Sequence, residues 1–67
     1  MTIPLEALGQ THDRVSLLIG QASLALHRRG ARINPDAIVA YLAAEQESEN
    51  DETRRFFLGV AIGLLSV

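Results

Sequence analysis

Apolar residues recur every three or four positions along three stretches of this chain, which is the period of an amphipathic helix. Two breaks separate the stretches: a turn around Gly30 and an acidic segment, EQESENDE, further along the chain. The predicted helices span about residues 11–29, 35–47 and 51–66. Neither a strand-like alternation nor an internal repeat is present. The pattern therefore predicts a flexible N-terminal segment, residues 1–10, followed by a single all-α domain of three helices, residues 11–67.

The first predicted helix carries signals at both ends. Thr11 is a suitable N-cap with Asp13 in the first turn, and Gly30 supplies a stop after two arginines. Its main apolar stripe consists of Val15, Leu18, Ile19, Ala22, Ala25 and Leu26. Leu17 and Leu24 lie one heptad apart outside this stripe, so a lone three-helix monomer would leave them exposed to water. They are predicted subunit contacts.

The second and third helices are also marked by caps. In the turn GARINPDA, Asn34 can cap a helix whose first position suits Pro35, because proline has no backbone N–H to satisfy. For the third helix the sequence leaves two capping schemes open: Ser48 together with Asp51, or Asn50 alone. The acidic segment itself is predicted to be a solvated turn, with a docking site for a basic partner as the alternative.

The third predicted helix is apolar on every side. Residues 56–67 contain nine apolar side chains, two glycines, one serine and no charge. A membrane anchor, a buried core helix and a surface for another protein would each leave this pattern. Twelve helical residues reach about 18 Å, well short of a hydrocarbon core of about 30 Å, which argues against a transmembrane span. We therefore expect this helix to be buried all round, with a partner or lipid surface covering what the chain itself leaves open. Gly59 and Gly63 either allow close approach of a second helix or make room for Phe56 and its neighbours.

These patterns together predict a surface for a second chain. The predicted dimer or partner interface comprises Leu17, Leu24, Phe56, Phe57, Leu58, Gly59, Ile62, Gly63 and Leu65. A chain of 67 residues is near the size at which the free energy of folding is close to zero without a disulfide, a metal or a partner chain. Cysteine is absent and only two histidines are present, so no metal and no cofactor is predicted. We expect the missing stability to come from self-association, as an intertwined or side-by-side helical homodimer.

Residues suited to catalysis are scarce. Ser23 and His27 come nearest to a nucleophile and base, because they are four residues apart on a helix. No third group orients the histidine, so a hydrogen-bonded surface pair is the better interpretation. Phosphate-binding loops, zinc spacings and dinucleotide fingerprints are absent from the sequence, and the prediction is that the protein is not an enzyme. The first ten residues lack the features of a secretion signal, which predicts a cytoplasmic location.

The charges favour protein over nucleic acid as a partner. Six arginines stand against eight acidic residues, for a net charge of −2, whereas proteins that bind phosphate backbones usually carry a basic excess. Arg28, Arg29 and Arg32 nevertheless cluster near the first turn, and a nucleic-acid contact there is the alternative to a helix-dipole role. Ion pairs are predicted at the start of the third helix: Arg54 and Arg55 with Glu47, Asp51 or Glu52.

The stretch LIGQASLALHRRGARINPDAIVAYLAAEQESENDETRRFFLGVAIGLLSV resembles the YmgB/AriR family of small biofilm and acid-resistance regulators, which includes connector proteins of two-component signalling. The resemblance covers about residues 18–65 without a gap. Its carriers are Leu18 or Ile19, Gly20, Gln21, Ala22, Leu26, Gly30, Ile33, Asn34, Ile38, Leu42, Glu45, Ile62, Gly63, Leu64 and Leu65. Most of these positions define a helix, a glycine turn and two further helices.

The resemblance implies an all-helical homodimer that acts without catalysis, by contact with a sensor kinase of a phosphorelay or with regulatory DNA complexes. It also implies control of biofilm formation, surface polymer production and tolerance of acid and other stress. The expected function is thus a non-catalytic connector of a two-component signalling pathway that acts by protein–protein contact. The alternative is a DNA-associated transcription regulator that uses the cluster of Arg28, Arg29 and Arg32. The acidic, alanine-rich second helix counts against this alternative, because direct base reading favours basic or amide side chains.

Overall fold

Three helices make up the fold. A computed structural model describes the backbone of residues 5–67 and the side chains from residue 9 onward. The helices are α1 (Leu5–Arg28), α2 (Pro35–Ser48) and α3 (Glu52–Leu65). Within the described residues there is no strand, so the predicted all-α class is confirmed.

The start of α1 differs from the sequence prediction. The helix begins at Leu5, so residues 5–10, which were assigned to a flexible N-terminal segment, are helical, and Thr11 lies inside the helix rather than at its N-cap. The segment LEALGQ explains this, because leucine, glutamate, alanine and glutamine are all strong helix formers. Gly9 within it costs only about 1 kcal/mol relative to alanine. The rest of the predicted flexible segment, residues 1–4, lies outside the described part of the chain.

The turn after α1 is closed by Gly30, as the sequence predicts. Gly30 has a φ of +70°, a left-handed conformation that glycine adopts without steric cost. Its N–H donates to the carbonyl of His27 (3.0 Å), and the N–H of Ala31 donates to the carbonyl of Leu26 (3.0 Å). These two bonds form a Schellman motif, which satisfies carbonyls that the end of a helix would otherwise leave unpaired.

Side-chain caps begin the other two helices. The Asn34 side chain accepts a hydrogen bond from the N–H of Ala37 (2.8 Å), and Pro35 takes the first helical position, both as predicted. At α3 the cap is Asp51, whose carboxylate accepts from the N–H of Thr53 (3.1 Å). Ser48 does not take part, because its hydroxyl donates back to the carbonyls of its own helix.

The core lies between all three helices and is entirely apolar. Its buried residues are Val15, Leu18, Ala22 and Leu26 from α1, Ile38 and Leu42 from α2, and Leu58 and Ala61 from α3. The four from α1 belong to the apolar stripe read from the sequence. Six residues join α1 to α2 and three join α2 to α3, and connections this short reverse the direction of the chain. The helices α1 and α3 therefore run in the same direction.

Candidate interaction surface

Large apolar side chains remain exposed on α1 and α3. Leu17 and Leu24 of α1 are 61% and 57% exposed, and Phe56 and Leu64 of α3 are 64% and 63% exposed. Isolated surface leucines are common, but large apolar side chains grouped on neighbouring elements indicate an interaction site. Whether these four side chains form an interaction site depends on which of them share a side of their helix.

On α1 the exposed leucines belong to one line. Leu17, Gln21, Leu24 and Arg28 follow one another at spacings of four, three and four residues, which places them on the same side of the helix. All four are exposed. The core residues of α1 occupy the opposite side, so this line is available to a second molecule.

On α3 a similar line faces away from the core. Glu52, Phe56 and Gly63 are exposed and separated by four and seven residues, so they too share one side. Val67, two residues beyond the end of α3, is also exposed. Val60 and Leu64 flank it. The core residues Leu58 and Ala61 project from the other side and are fully buried. Thus α3 has one buried apolar side and one exposed apolar side.

A groove of about 310 Å³ joins the two helices. It is lined by Arg14, Leu17, Leu18 and Gln21 of α1 and by Asp51, Thr53, Arg54 and Phe57 of α3. The guanidinium carbon of Arg14 lies 5.0 Å from the centre of the Phe57 ring, close enough for a cation–π interaction. The residues that line the groove show how the two helices are aligned: the beginning of α3 lies beside residues 14–21 of α1.

Both lines lie on helices that border this groove. Leu17 and Phe57 line the same groove, and Leu24 and Leu64 lie seven residues further along each of two helices that run in the same direction. We use the name α1–α3 face for the exposed residues on the sides of α1 and α3 that point away from the core: Leu17, Gln21, Leu24, Arg28, Glu52, Phe56, Gly63, Leu64 and Val67. Its centre is mostly apolar, and a charged residue stands at each end.

The structure distributes the nine predicted interface residues among three environments. Leu17, Leu24, Phe56 and Gly63 are exposed; Phe57, Gly59, Ile62 and Leu65 are half-buried; Leu58 is fully buried. The inclusion of Leu58 was wrong, because it packs in the core of its own chain. Within one chain only one side of α3 is covered, so burial of its other sides, which the sequence predicts, requires a second molecule. Leu64 and Val67 are exposed members of the face that the sequence prediction missed, since an apolar pattern on every side cannot show which side is covered.

Gly59 serves the chain's own packing. A Cβ atom built at Gly59 would lie 3.0 Å from the side-chain nitrogen of Gln46, whereas one at Gly63 would meet nothing within 4 Å. The same Gln46 nitrogen donates to the carbonyl of Arg55 (3.2 Å). Gly59 therefore makes room for a contact between α2 and α3, and only Gly63 of the pair is open to a second molecule.

An ion-pair network joins the end of α2 to the start of α3. Arg54 pairs with Glu49 and lies 3.8 Å from the Glu45 carboxylate, so the predicted partners Glu47, Asp51 and Glu52 were wrong. The other Glu49 oxygen accepts from the N–H of Asp51 (3.1 Å). This backbone hydrogen bond first, and then the Arg54 guanidinium, hold the pKa of Glu49 below its ordinary value. The network stabilises the short turn between the helices.

The three arginines near the first turn are exposed. Arg29 lies over the Tyr41 ring, with 5.2 Å between the guanidinium carbon and the ring centre. Arg28 and Arg32 form no ion pair among the described residues. The cluster thus has one arginine held against α2 and two whose charges are unpaired.

The residues considered for catalysis have structural roles. The Ser23 hydroxyl donates to the carbonyl of Ile19 (2.9 Å) in the preceding turn, so the predicted Ser23–His27 pair was wrong. His12 lies 3.8 Å from Asp13, and both side chains are exposed. In the described part of the chain, no three histidine, aspartate or glutamate side chains are grouped to hold a metal ion. None of the described helices is both long and apolar enough to cross a membrane.

Comparisons with protein-family models, with curated proteins and with solved structures find no match to this chain.

Proposed function

We propose that the protein is a non-catalytic adaptor that works as a homodimer and acts by protein–protein contact. The observation that carries this proposal is the α1–α3 face, where Leu17, Leu24, Phe56 and Leu64 each leave more than half of their surface in water. Burying large apolar side chains of this kind is the main source of free energy in protein association. A small domain also gains stability in this way, because its own core is limited.

The geometry of the groove also fits an adaptor. Three polar side chains at its rim are already engaged: Asp51 caps α3, Arg54 is held by Glu49, and Arg14 lies over Phe57. A catalytic site needs a nucleophile, a base or a metal poised towards substrate, whereas these side chains stabilise the junction of α1 and α3. According to this proposal, the groove belongs to a surface that contacts another protein.

The biological process that we propose, two-component signalling, is taken from the resemblance to the YmgB/AriR family. Two residues that carry the resemblance, Gly30 and Asn34, lie in the turn after α1 and at the cap of α2. The protein is then a cytoplasmic connector of a two-component pathway that controls biofilm formation and the response to acid and other stress. Its second partner, besides itself, is a sensor kinase or another regulatory protein.

The dimer is tested by measuring molar mass with light scattering at micromolar concentration. The wild-type chain should have the mass of two chains, and Leu24→Asp should have the mass of one, because a buried unpaired charge costs several kcal/mol. Ile33→Asp is the matched control, since Ile33 is 51% exposed but lies in the turn between α1 and α2. A monomeric wild type would refute the proposal. A pull-down from the native host with wild-type and Leu24→Asp bait, read by mass spectrometry, then identifies the kinase or other partner.

The second candidate function is DNA-associated transcription regulation. It is favoured by one observation, the exposed cluster of Arg28, Arg29 and Arg32 at the end of the bundle where α1 stops. A mobility-shift titration tests it, because affinity that depends on phosphate contacts falls steeply with salt. Binding at about 50 mM salt that weakens at about 200 mM, and that is lost in Arg28→Ala/Arg32→Ala, would support this function. Absence of binding at the lower salt concentration would remove it.

A further inference from the structure

The two ends of the α1–α3 face carry opposite charges. Arg28 follows Leu24 by four residues on α1, and Glu52 precedes Phe56 by four residues on α3. The side chains between them on the face are uncharged. Neither Arg28 nor Glu52 forms an ion pair among the described residues. Each charge is therefore free to meet a charge on another molecule.

The register places these charges at opposite ends. The groove brings the start of α3 beside residues 14–21 of α1, so Glu52 stands at the end of the face where Leu17 lies. Arg28 is the last residue of α1 and stands at the other end, towards Val67. Because α1 and α3 run in the same direction, the face has an acidic end and a basic end about one helix length apart.

Neighbouring charges reinforce this polarity. Residues 27–36 contain three arginines and one aspartate, a net charge of 3 − 1 = +2. Residues 45–55 contain five acidic residues and two arginines, a net charge of 2 − 5 = −3. Asp13 and Arg14, next to the acidic end, cancel each other. The bundle is thus charged with opposite signs at its two ends.

We infer that the α1–α3 face is covered by a second copy of this chain in antiparallel orientation, with Arg28 of each protomer beside Glu52 of its partner. The inference rests on the homodimer proposed above and specifies its geometry. Two-fold symmetry makes such a contact self-complementary, so the same pair occurs twice. A parallel arrangement would place Arg28 against Arg28 and Glu52 against Glu52, and like charges in contact oppose association.

Charge reversal tests this orientation. Arg28→Glu and Glu52→Arg each replace two attractive contacts by two repulsive ones and should raise the dimer Kd about tenfold at low salt. The double variant Arg28→Glu/Glu52→Arg restores both contacts with reversed polarity, and its Kd should return to within about twofold of wild type. Sedimentation equilibrium at about 50 mM and 500 mM salt measures these values, and the differences should shrink at the higher concentration.

The matched control is Arg28→Glu/Glu47→Arg, which has the same net charge as the restoring double variant. Glu47 is exposed on α2, away from the face, so this control should stay as weak as Arg28→Glu. Equal Kd values for the two double variants would overturn the antiparallel arrangement. Circular dichroism confirms that each variant is folded.

Cross-linking provides a second readout, because the chain contains no cysteine. Chains carrying Arg28→Cys and chains carrying Glu52→Cys are mixed, oxidised and weighed by mass spectrometry. The antiparallel arrangement should give disulfides that join one kind of chain to the other, whereas disulfides only between chains of one kind would overturn it. A wild type that sediments as a monomer refutes the proposed function itself; a wild-type dimer without rescue refutes only the orientation.

Discussion

Arg14 of α1 lies over the ring of Phe57 of α3, with 5.0 Å between the guanidinium carbon and the ring centre. Phe57 in turn meets Phe56 edge to face, with the ring centres 5.4 Å apart and an angle of 73° between the rings. This row of three side chains connects the groove to the exposed side of α3. It is the contact that joins the first and last helices where the groove opens.

The contact between Arg14 and Phe57 should contribute measurably to stability. A cation–π pair at an exposed site is worth about 0.5–1 kcal/mol, so Arg14→Ala should lower the free energy of unfolding by about that amount in a urea titration. Arg55→Ala is the control, because Arg55 is exposed on α3 and makes no ring contact or ion pair with any residue that the structure describes. The loss should be nearly absent when Arg14→Ala is made in a Phe57→Leu background. Equal losses in both backgrounds would show that the two side chains do not interact.

The core should tolerate truncation poorly. Leu58 is fully buried, and removing a buried leucine side chain costs about 2–5 kcal/mol. Because a domain of this size has little stability to spare, Leu58→Ala should be largely unfolded at 37 °C by circular dichroism. Ile33→Ala is the control, since its half-exposed side chain should change the free energy of unfolding by less than about 0.5 kcal/mol. Retention of wild-type stability in Leu58→Ala would contradict the placement of Leu58 in the core.

Acid should weaken the junction between α2 and α3. The pKa of Glu49 is lowered in the folded chain by the hydrogen bond from the N–H of Asp51 and by Arg54. Folding therefore gains from ionised Glu49 above the ordinary carboxyl pKa, and this gain is lost as the pH falls through the lowered pKa. In Glu49→Gln the free energy of unfolding should be lower at pH 7 and should fall less between pH 7 and pH 3. Glu47→Gln is the control, because Glu47 forms no ion pair among the described residues and should retain the wild-type pH dependence. A wild-type profile in Glu49→Gln would exclude this role.

Two glycines should respond oppositely to alanine. Gly30 has a positive φ, so Gly30→Ala places a Cβ in a left-handed conformation at a cost of about 1–2 kcal/mol. Gly20 lies within α1, and a Cβ atom added there would meet nothing within 4 Å, so Gly20→Ala should stabilise the chain by about 0.5–1 kcal/mol. Thermal unfolding followed by circular dichroism measures both. A melting temperature of Gly30→Ala that equals or exceeds that of the wild type would contradict the turn geometry, and a lower melting temperature of Gly20→Ala would contradict the open space beside Gly20.

Much of the fold could be read from local signals. Gly30 ends α1 and Asn34 caps α2 because turns and caps depend on a few neighbouring residues. The exposure of Leu17 and Leu24 could be read too, because α1 has a single apolar stripe and these leucines fall outside it. The early start of α1 was missed because Thr11 is a good capping residue, yet the strong helix formers before it outweigh the small cost of a threonine inside a helix.

The members of the α1–α3 face could not all be predicted from local sequence patterns. On α3 every side is apolar, so only the packing of α1 and α2 decides that Leu58 is buried while Phe56 and Leu64 are exposed. The partners of Arg54 likewise depend on how the three-residue turn brings the end of α2 beside the start of α3. The sequence by itself determined three helices, their turns and a polarity of charge along the chain, because caps, glycine conformations and periodicity act over a few residues. The tertiary structure decided which apolar side of α3 faces water and placed Arg28 and Glu52 at opposite ends of the bundle, because burial and register arise from contacts between distant parts of the chain.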